Sequence, residues 1–439
     1  MRPCPAWTDL RKRRLAILLT RLLPASLAAL ASLALLVLPG CVGNRAQNTD
    51  WATPTATGAS NGAGSNNGIQ AALDTYAKAL TDKNRDSFAS VLDAGNPAFT
   101  AAELQRFDNL AAVPFGQFSL RLVSQSQTAP DTVAAKVDTS YTLRGSFSEL
   151  PSPGRAAYFL VKRPDGWKLS GDASVQALGK KRYARFEDFG KVEVLSGQRS
   201  IVLYHAQAGV ARQVQEMTDA AMPRLESVFP GARFPKVPVK IYENKDEIDQ
   251  TFPGKWQEWT GGASLMLGEK AEQGGEIIID AEVFSSTAGT SPGYNRKMIA
   301  HELTHIALFP MSGNRTPPFL VEGLADYVGG IEDTALLRER LRGGGAISPT
   351  LSDIYQPGSF SALLTTDAAT LAYEEADSAV SLLETKYGND KVMELLREFQ
   401  RRQNDSQSQD ALVNDVFSSV LGISWNDFEG EWRSYVLAG

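Results

Sequence analysis

The chain has 439 residues, 43% hydrophobic and 21% charged, with Gly 37 and Pro 22. At roughly 150 residues per domain this is material for two or three folded units, and it excludes collagen-like and wholly disordered states. The formal charge is -6, and discounting residues 1–40, with six basic residues and one acidic, leaves 38 basic against 49 acidic, a net charge of -11. Such a surface repels polyanions, so no nucleic-acid partner is expected.

The first forty residues read as an export signal: a basic cluster, Arg11-Lys12-Arg13-Arg14, then an apolar run from Leu22 to Leu38. That run spans 17 residues and contains Pro24, which is short for a helix crossing a bilayer; an uncleaved single-pass anchor is the alternative. The sequence Leu38-Pro39-Gly40-Cys41 resembles a bacterial lipobox. The resemblance implies cleavage before Cys41, a lipid anchor on that residue, and a place on the extracytoplasmic face of the cell membrane. Cys4, the other cysteine, lies in the discarded part, so the mature chain holds no disulfide. Residues 41–67 are mostly Thr, Ser, Asn, Gly and Ala, too poor in apolar side chains to fold, and are expected to be a disordered tether.

Residues 68–175 are expected to form a small α+β module. Ile69, Leu73, Tyr76 and Leu80 recur at helical spacing, and apolar positions continue from Phe88 to Leu104. The period then becomes two: Phe118, Leu120 and Leu122; Val133, Ala135, Val137, Tyr141 and Leu143; Tyr158 to Val161; then the turn Pro164-Asp165-Gly166 and Trp167-Lys168-Leu169. Helices followed by an antiparallel sheet with this terminal hairpin resemble the cone-shaped nuclear-transport-factor-2-like superfamily. No catalytic set is visible in this part, so a spacer or recognition module is expected.

A second unit, residues 186–439, opens with a strand at Ile201 to Tyr204 and a long helix whose face is Val210, Val214, Met217, Ala221, Leu225 and Val228. Val237 to Tyr242 and Glu276 to Asp280 are further strands, and Ile277-Ile278-Ile279 is continuous enough to be buried on both faces. His205 lies beside the first strand and is expected to be structural. His301-Glu302-Leu303-Thr304-His305 then falls inside a helical pattern from Tyr294 to Phe309. At i and i+4 both imidazoles reach one ion, and Glu302 lies beside them within reach of a water on it. Catalytic zinc takes a third protein ligand and keeps one position open. Glu322 is the candidate, on a helix that the prolines Pro317-Pro318 would start; Asp326, one turn on, can accept a hydrogen bond from the far nitrogen of His301. After residue 330 the pattern is helical, at Leu371 to Tyr387, Val392 to Phe399, Ala411 to Leu421 and Trp425 to Val436. The acids Glu374, Glu375 and Asp377 read as a solvated helix face.

The pattern H-E-L-T-H, a loop, then P-x-x-L-x-E-G-L-A-D-Y resembles the gluzincin zinc metallopeptidases, most closely the peptidase MA-like domains of bacterial exported proteins. The loop is slightly shorter than in thermolysin or the large aminopeptidases, with Pro310, Gly313 and Asn314 to permit a tight return. The resemblance implies a zincin-like α+β fold with a mixed sheet and a helical C-terminal part. It also implies one Zn2+ on His301, His305 and Glu322, Asp326 behind a ligand histidine, and Glu302 as general base in zinc-dependent hydrolysis of a peptide or protein substrate. It further implies Tyr373 as donor to the tetrahedral oxyanion. An edge strand at Gly262, Ala263 and Ser264 would pair with the substrate backbone, with Trp256 and Trp259 capping the sheet beside it. Two rival readings stand beside this one: an inactive peptidase-like lipoprotein used as a binding or assembly platform, and a protein whose work is done by residues 68–175 while the metal is structural.

Overall fold

The computed structural model describes residues 63–438 except 147–151, 233, 254–260, 267–273, 291–292, 332–333, 344–349 and 364. The export signal, Cys41 and most of the tether lie outside the described residues, as do Trp256 and Trp259. Among the described residues no helix is long and apolar enough to cross a membrane.

Helix α1 (Ala63–Asp82) starts inside the segment expected to be tether. A Cβ at Gly68, in its second turn, would fall 2.8 Å from the Trp167 ring, so glycine lets the helix approach the indole this closely. The apolar stretch that follows is two helices, α2 (Arg85–Ser90) and α3 (Pro97–Asn109). Asn84 and Asn96 divide them, each side chain accepting the amide three residues on, with Pro97 in the first turn of α3. The sheet is an antiparallel meander, β1 (Phe115–Ala129), β2 (Thr132–Leu143), β3 (Ser152–Arg163) and β4 (Gly166–Asp172). The expected turn closes it: Arg163 pairs with Gly166, whose φ of 126 suits glycine. A short helix α4 (Ser174–Leu178) follows.

The second sheet has the order β5-β6-β7-β9-β8, from β5 (Glu193–Ser196), β6 (Ser200–Tyr204), β7 (Val237–Tyr242), β8 (Gly262–Met266) and β9 (Gly275–Asp280). Strands β6, β7 and β9 are parallel, with the long helix α5 (Ala208–Val228) crossing from β6 to β7, and β5 and β8 are antiparallel edges. Helix α6 (Lys245–Thr251) follows β7. The rest is helical: α7 (Ala281–Thr290), α8 (Tyr294–Leu308), α9 (Pro318–Gly329), α10 (Ala335–Arg342), α11 (Thr366–Tyr387), α12 (Asn389–Arg401), α13 (Gln409–Leu421) and α14 (Trp425–Ala438). The class is therefore α+β, with a mixed sheet and a helical C-terminal part. The short elements β5, α6, α7 and α10 had no signal strong enough to be expected.

The mixed sheet separates two cores. Because successive side chains of a strand point to opposite faces, Val202, Val239, Ile241, Ile277 and Ile279 pack with α5, α8, α9 and the C-terminal helices. Their neighbours Ile201, Leu203, Tyr242 and Ile278 pack with Tyr76, Phe88, Phe118 and Leu160 of the first module. The two parts of the chain thus share a core across one face of the sheet. A polar pin crosses the same face: Lys240 Nζ lies 2.8 Å from Glu276 Oε2 and donates to the Tyr141 hydroxyl at 3.2 Å. Burial lowers the pKa of that lysine, and Glu276 reverses the effect, so the ammonium stays charged.

Candidate metal centre

Helix α8 is buried at every position from Met298 to Leu308, so its polar side chains must find partners inside the protein. His301 and His305 sit one turn apart, and their Nε2 atoms face each other 3.0 Å apart. The chain then returns through a tight turn in which Gly313 N donates to Thr316 Oγ1 at 2.8 Å, and Thr316 N to Gly313 O at 3.1 Å. Pro317 and Pro318 start α9, and Gly330, at φ 67, ends it. This brings Glu322 Oε2 to 3.6 Å from His301 Nε2 and 3.4 Å from His305 Nε2. Asp326, one turn on, lies behind the first histidine, whose Nδ1 donates to Oδ1 at 2.6 Å. All four side chains are buried.

Three observations test whether this set suits a metal. His301, His305 and Glu322 are the only group of three His, Cys, Asp or Glu among the described residues whose ligand atoms converge, all within 4.8 Å of one another. Ligands about 2.0–2.1 Å from a tetrahedral zinc stand about 3.4 Å apart, and the three separations here are 3.0, 3.4 and 3.6 Å. Glu322 Oε2, the oxygen that faces both rings, is buried and has no hydrogen-bond partner among the described residues, an arrangement that a cation would complete.

The electrostatics agree. Burial raises the Glu322 carboxyl, but His305 and His301 outweigh it and bring the pKa down to about 2. Burial lowers the His301 imidazole, but Asp326, Glu322 and Glu302 outweigh it and push the pKa up to about 10. Both shifts favour positive charge at the centre of the group. Burial also raises Asp326, opposed by His301, so the pair holds one proton between Nδ1 and Oδ1. That bond orients the ring so that Nε2 faces His305 and Glu322.

The other expected site residues fall into place unequally. Glu302 is fully buried beside the histidines. The Tyr373 ring lies 6.3 Å, centroid to centroid, from that of His301, and the Phe360 ring packs edge-on against it at 5.0 Å. Gly262 and Ala263 lie on β8, the edge strand, paired with Ile279 and Ile278 of β9. Ser264, expected to meet substrate, turns its hydroxyl inward to Glu302, a contact that the sequence gave no sign of. His205 lies outside the group: its ring stacks on Phe186 at 4.3 Å and Nδ1 lies 3.2 Å from Lys191 O, a structural setting.

The acidic group on α11 is a correction. Glu374, Glu375 and Asp377 are buried, not solvated, because helices pack around α11 on several sides. Glu374 accepts from Leu336 N at 3.3 Å and Leu337 N at 2.6 Å, and so caps α10. Both Glu375 carboxyl oxygens lack a hydrogen-bond partner among the described residues. Burial pushes that carboxyl up to about 9, opposed by Arg433 and reinforced by Glu429 and Asp353.

A mixed sheet with an HExxH helix packed against it, and a second helix returning a carboxylate to the two histidines, define a zincin-like metallopeptidase fold. Residues 218–438, half of the chain, match the family model of the peptidase MA superfamily, and the chain belongs to that superfamily. No curated protein matches it. Among solved structures, an M1 zinc metallopeptidase mutant from Deinococcus radiodurans bound to a Tyr-Ser-Ala substrate is 12% identical, with a TM-score of 0.24, over 73% of this chain and 60% of that one. A protein described as an aromatic ring hydroxylase from Novosphingobium aromaticivorans is 17% identical, with a TM-score of 0.21, over 26% of this chain and 91% of that one. A Mycobacterium tuberculosis protein of unknown function is 13% identical, with a TM-score of 0.19, over 23% of this chain and 64% of that one. Scores this low carry no argument about how this chain works.

Proposed function

We propose that this chain is a zinc-dependent peptidase, with His301, His305 and Glu322 holding the ion and Glu302 as general base. The observation that carries the reading is the buried three-donor group, spaced for one tetrahedral ion, with Asp326 orienting one donor. Three protein ligands leave a position for water and substrate, whereas structural zinc is closed by four. Bound zinc would supply Lewis acidity, lowering the pKa of water to about 7 and polarising the scissile carbonyl.

The chain's own residues supply the rest. The Glu302 carboxylate takes the proton of the attacking water and passes it to the leaving amine. Tyr373, bordering His301, offers its hydroxyl to the developing oxyanion. The outer edge of β8, at Gly262 and Ala263, presents backbone N–H and C=O groups to an extended peptide. The export signal and Cys41 support a lipid-anchored protein at the outer face of a bacterial membrane, with peptide or protein as substrate.

The test needs no guess at the substrate. Metal content of the full-length protein by mass spectrometry should give about one zinc per chain, and Glu322→Ala should lose it. Zinc in neither protein, even after reconstitution, overturns the reading.

A further inference from the structure

We infer that Ser264 is a positioning residue for Glu302, locking the carboxylate to the edge strand at a fixed register; the inference rests on the peptidase reading above. Ser264 Oγ lies 2.8 Å from Glu302 Oε2 and 2.8 Å from the main-chain oxygen of the same residue. One hydroxyl, with a single proton to donate, thus stands between the carboxylate and the main-chain oxygen of Glu302, and swinging the carboxylate away breaks its contact with the strand. Ser264 is 4% exposed and Glu302 0%, so water cannot substitute.

The placement follows from the strand. Ala263 and Leu265 point into the core shared with the first module, so residue 264 must point to the opposite face, toward α8. Its partner across the ladder is Ile277, which packs with the helices on that face. A polar residue at such a buried position must be hydrogen-bonded, and what it finds is the candidate base.

The bridge has a consequence for the reaction. The outer edge of β8 is where a peptide backbone would pair, and Ser264 ties that strand to Glu302. The register of the bound peptide and the position of the base are then set by one rigid unit. Removing the hydroxyl leaves the strand backbone intact for binding and takes away the carboxylate's tie to the strand, so the loss falls on kcat and not on KM.

The experiment compares the full-length, zinc-loaded parent with Ser264→Ala, Ser264→Thr and Glu302→Gln. The probe is a library of internally quenched octapeptides, with kinetics measured on the member that the parent cleaves best. For Ser264→Ala we expect unchanged zinc content and unfolding midpoint, kcat lower by about 10–100-fold and KM within about twofold. Ser264→Thr, which keeps the hydroxyl, should return kcat to within about threefold of the parent. Parental kcat in Ser264→Ala, equal impairment of the Ala and Thr variants, or loss of zinc together with kcat in both overturns the role of Ser264. A zinc-loaded parent that cleaves nothing in the library, or a Glu302→Gln protein as active as the parent, overturns the peptidase reading and this inference with it.

Discussion

Replacing Gly323 with Ala separates two physical effects that have opposite signs. Gly323 follows Glu322, the proposed third ligand, on α9, where that helix crosses α11 at very close range. A Cβ at this position would stand 2.2 Å from Ala376 O, 2.6 Å from Ala376 C and 2.7 Å from Val380 Cγ2. Helix propensity alone favours Ala over Gly in a helix by about 1 kcal/mol. The contact opposes it. Carbon sits comfortably at roughly 3.3 Å or more from a carbonyl oxygen, so the two helices must part by about 1 Å, at an overpacking cost of about 1–3 kcal/mol. Because Glu322 rides on the same turn, it moves with the backbone, and metal–ligand distances tolerate only about 0.2 Å. The expected result is a net loss of about 0–2 kcal/mol in urea unfolding of the apoprotein. Zinc affinity, measured by chelator competition, should fall by about 100-fold. A stabilised Gly323→Ala protein with parental zinc affinity would refute the close crossing as the device that sets the third ligand.

Three further perturbations read other parts of the structure. Glu375, raised to about 9 in the folded protein from its ordinary value near 4.5, favours folding fully below pH 4.5, and that contribution is lost as pH rises toward 9. Glu375→Gln should therefore match the parent near pH 4.5 and exceed it by roughly 4 kcal/mol at about pH 7.5; equal stability of the two at both pH values refutes the buried neutral acid. Asp326→Ala, leaving His301 without its 2.6 Å partner, should weaken zinc by about 10–100-fold in the same competition assay, and unaltered affinity would show that the bond orients nothing. Glu276→Gln strands the Lys240 ammonium in the shared core and should cost about 3–5 kcal/mol in urea unfolding, while Lys240→Met with Glu276→Leu should recover most of it; a double variant no better than the single one rules out an uncompensated charge as the cause.

The candidate metal group was legible because the chemistry proposed for it imposes spacing: His301 and His305 one turn apart, and Glu322 and Asp326 one turn apart on a later helix. The fold class was legible from the change between periods of two and three to four. Other features had no such imprint. Ser264 is one serine in a short strand, and its partner is known only once β8 is laid beside α8. The Glu374 to Asp377 acids looked solvated because polar residues on a helix usually are, and the helix that Glu374 caps, α10, is too short to announce itself. Residues 63–67 read as tether by composition, yet they open helix α1. The continuous apolar run of β9 predicted a strand buried on both faces and was silent about what covers the second one.

That second face determines where the chain can be cut and how it can change. A protein beginning at residue 186 would have every proposed ligand and the whole mixed sheet, but Ile201, Leu203 and Ile278 would lose the cover that the first module gives them. At roughly 1.5–3 kcal/mol for each such side chain, the exposure rivals the about 5–15 kcal/mol that holds an ordinary domain together. The first module thus serves the peptidase-like half as an outer wall. In β9 the consecutive residues Ile277 and Ile278 answer to different neighbours, so inserting one residue there would turn each toward the other's core and spoil both halves together. Drift in either part is bound by the other through a strand barely six residues long.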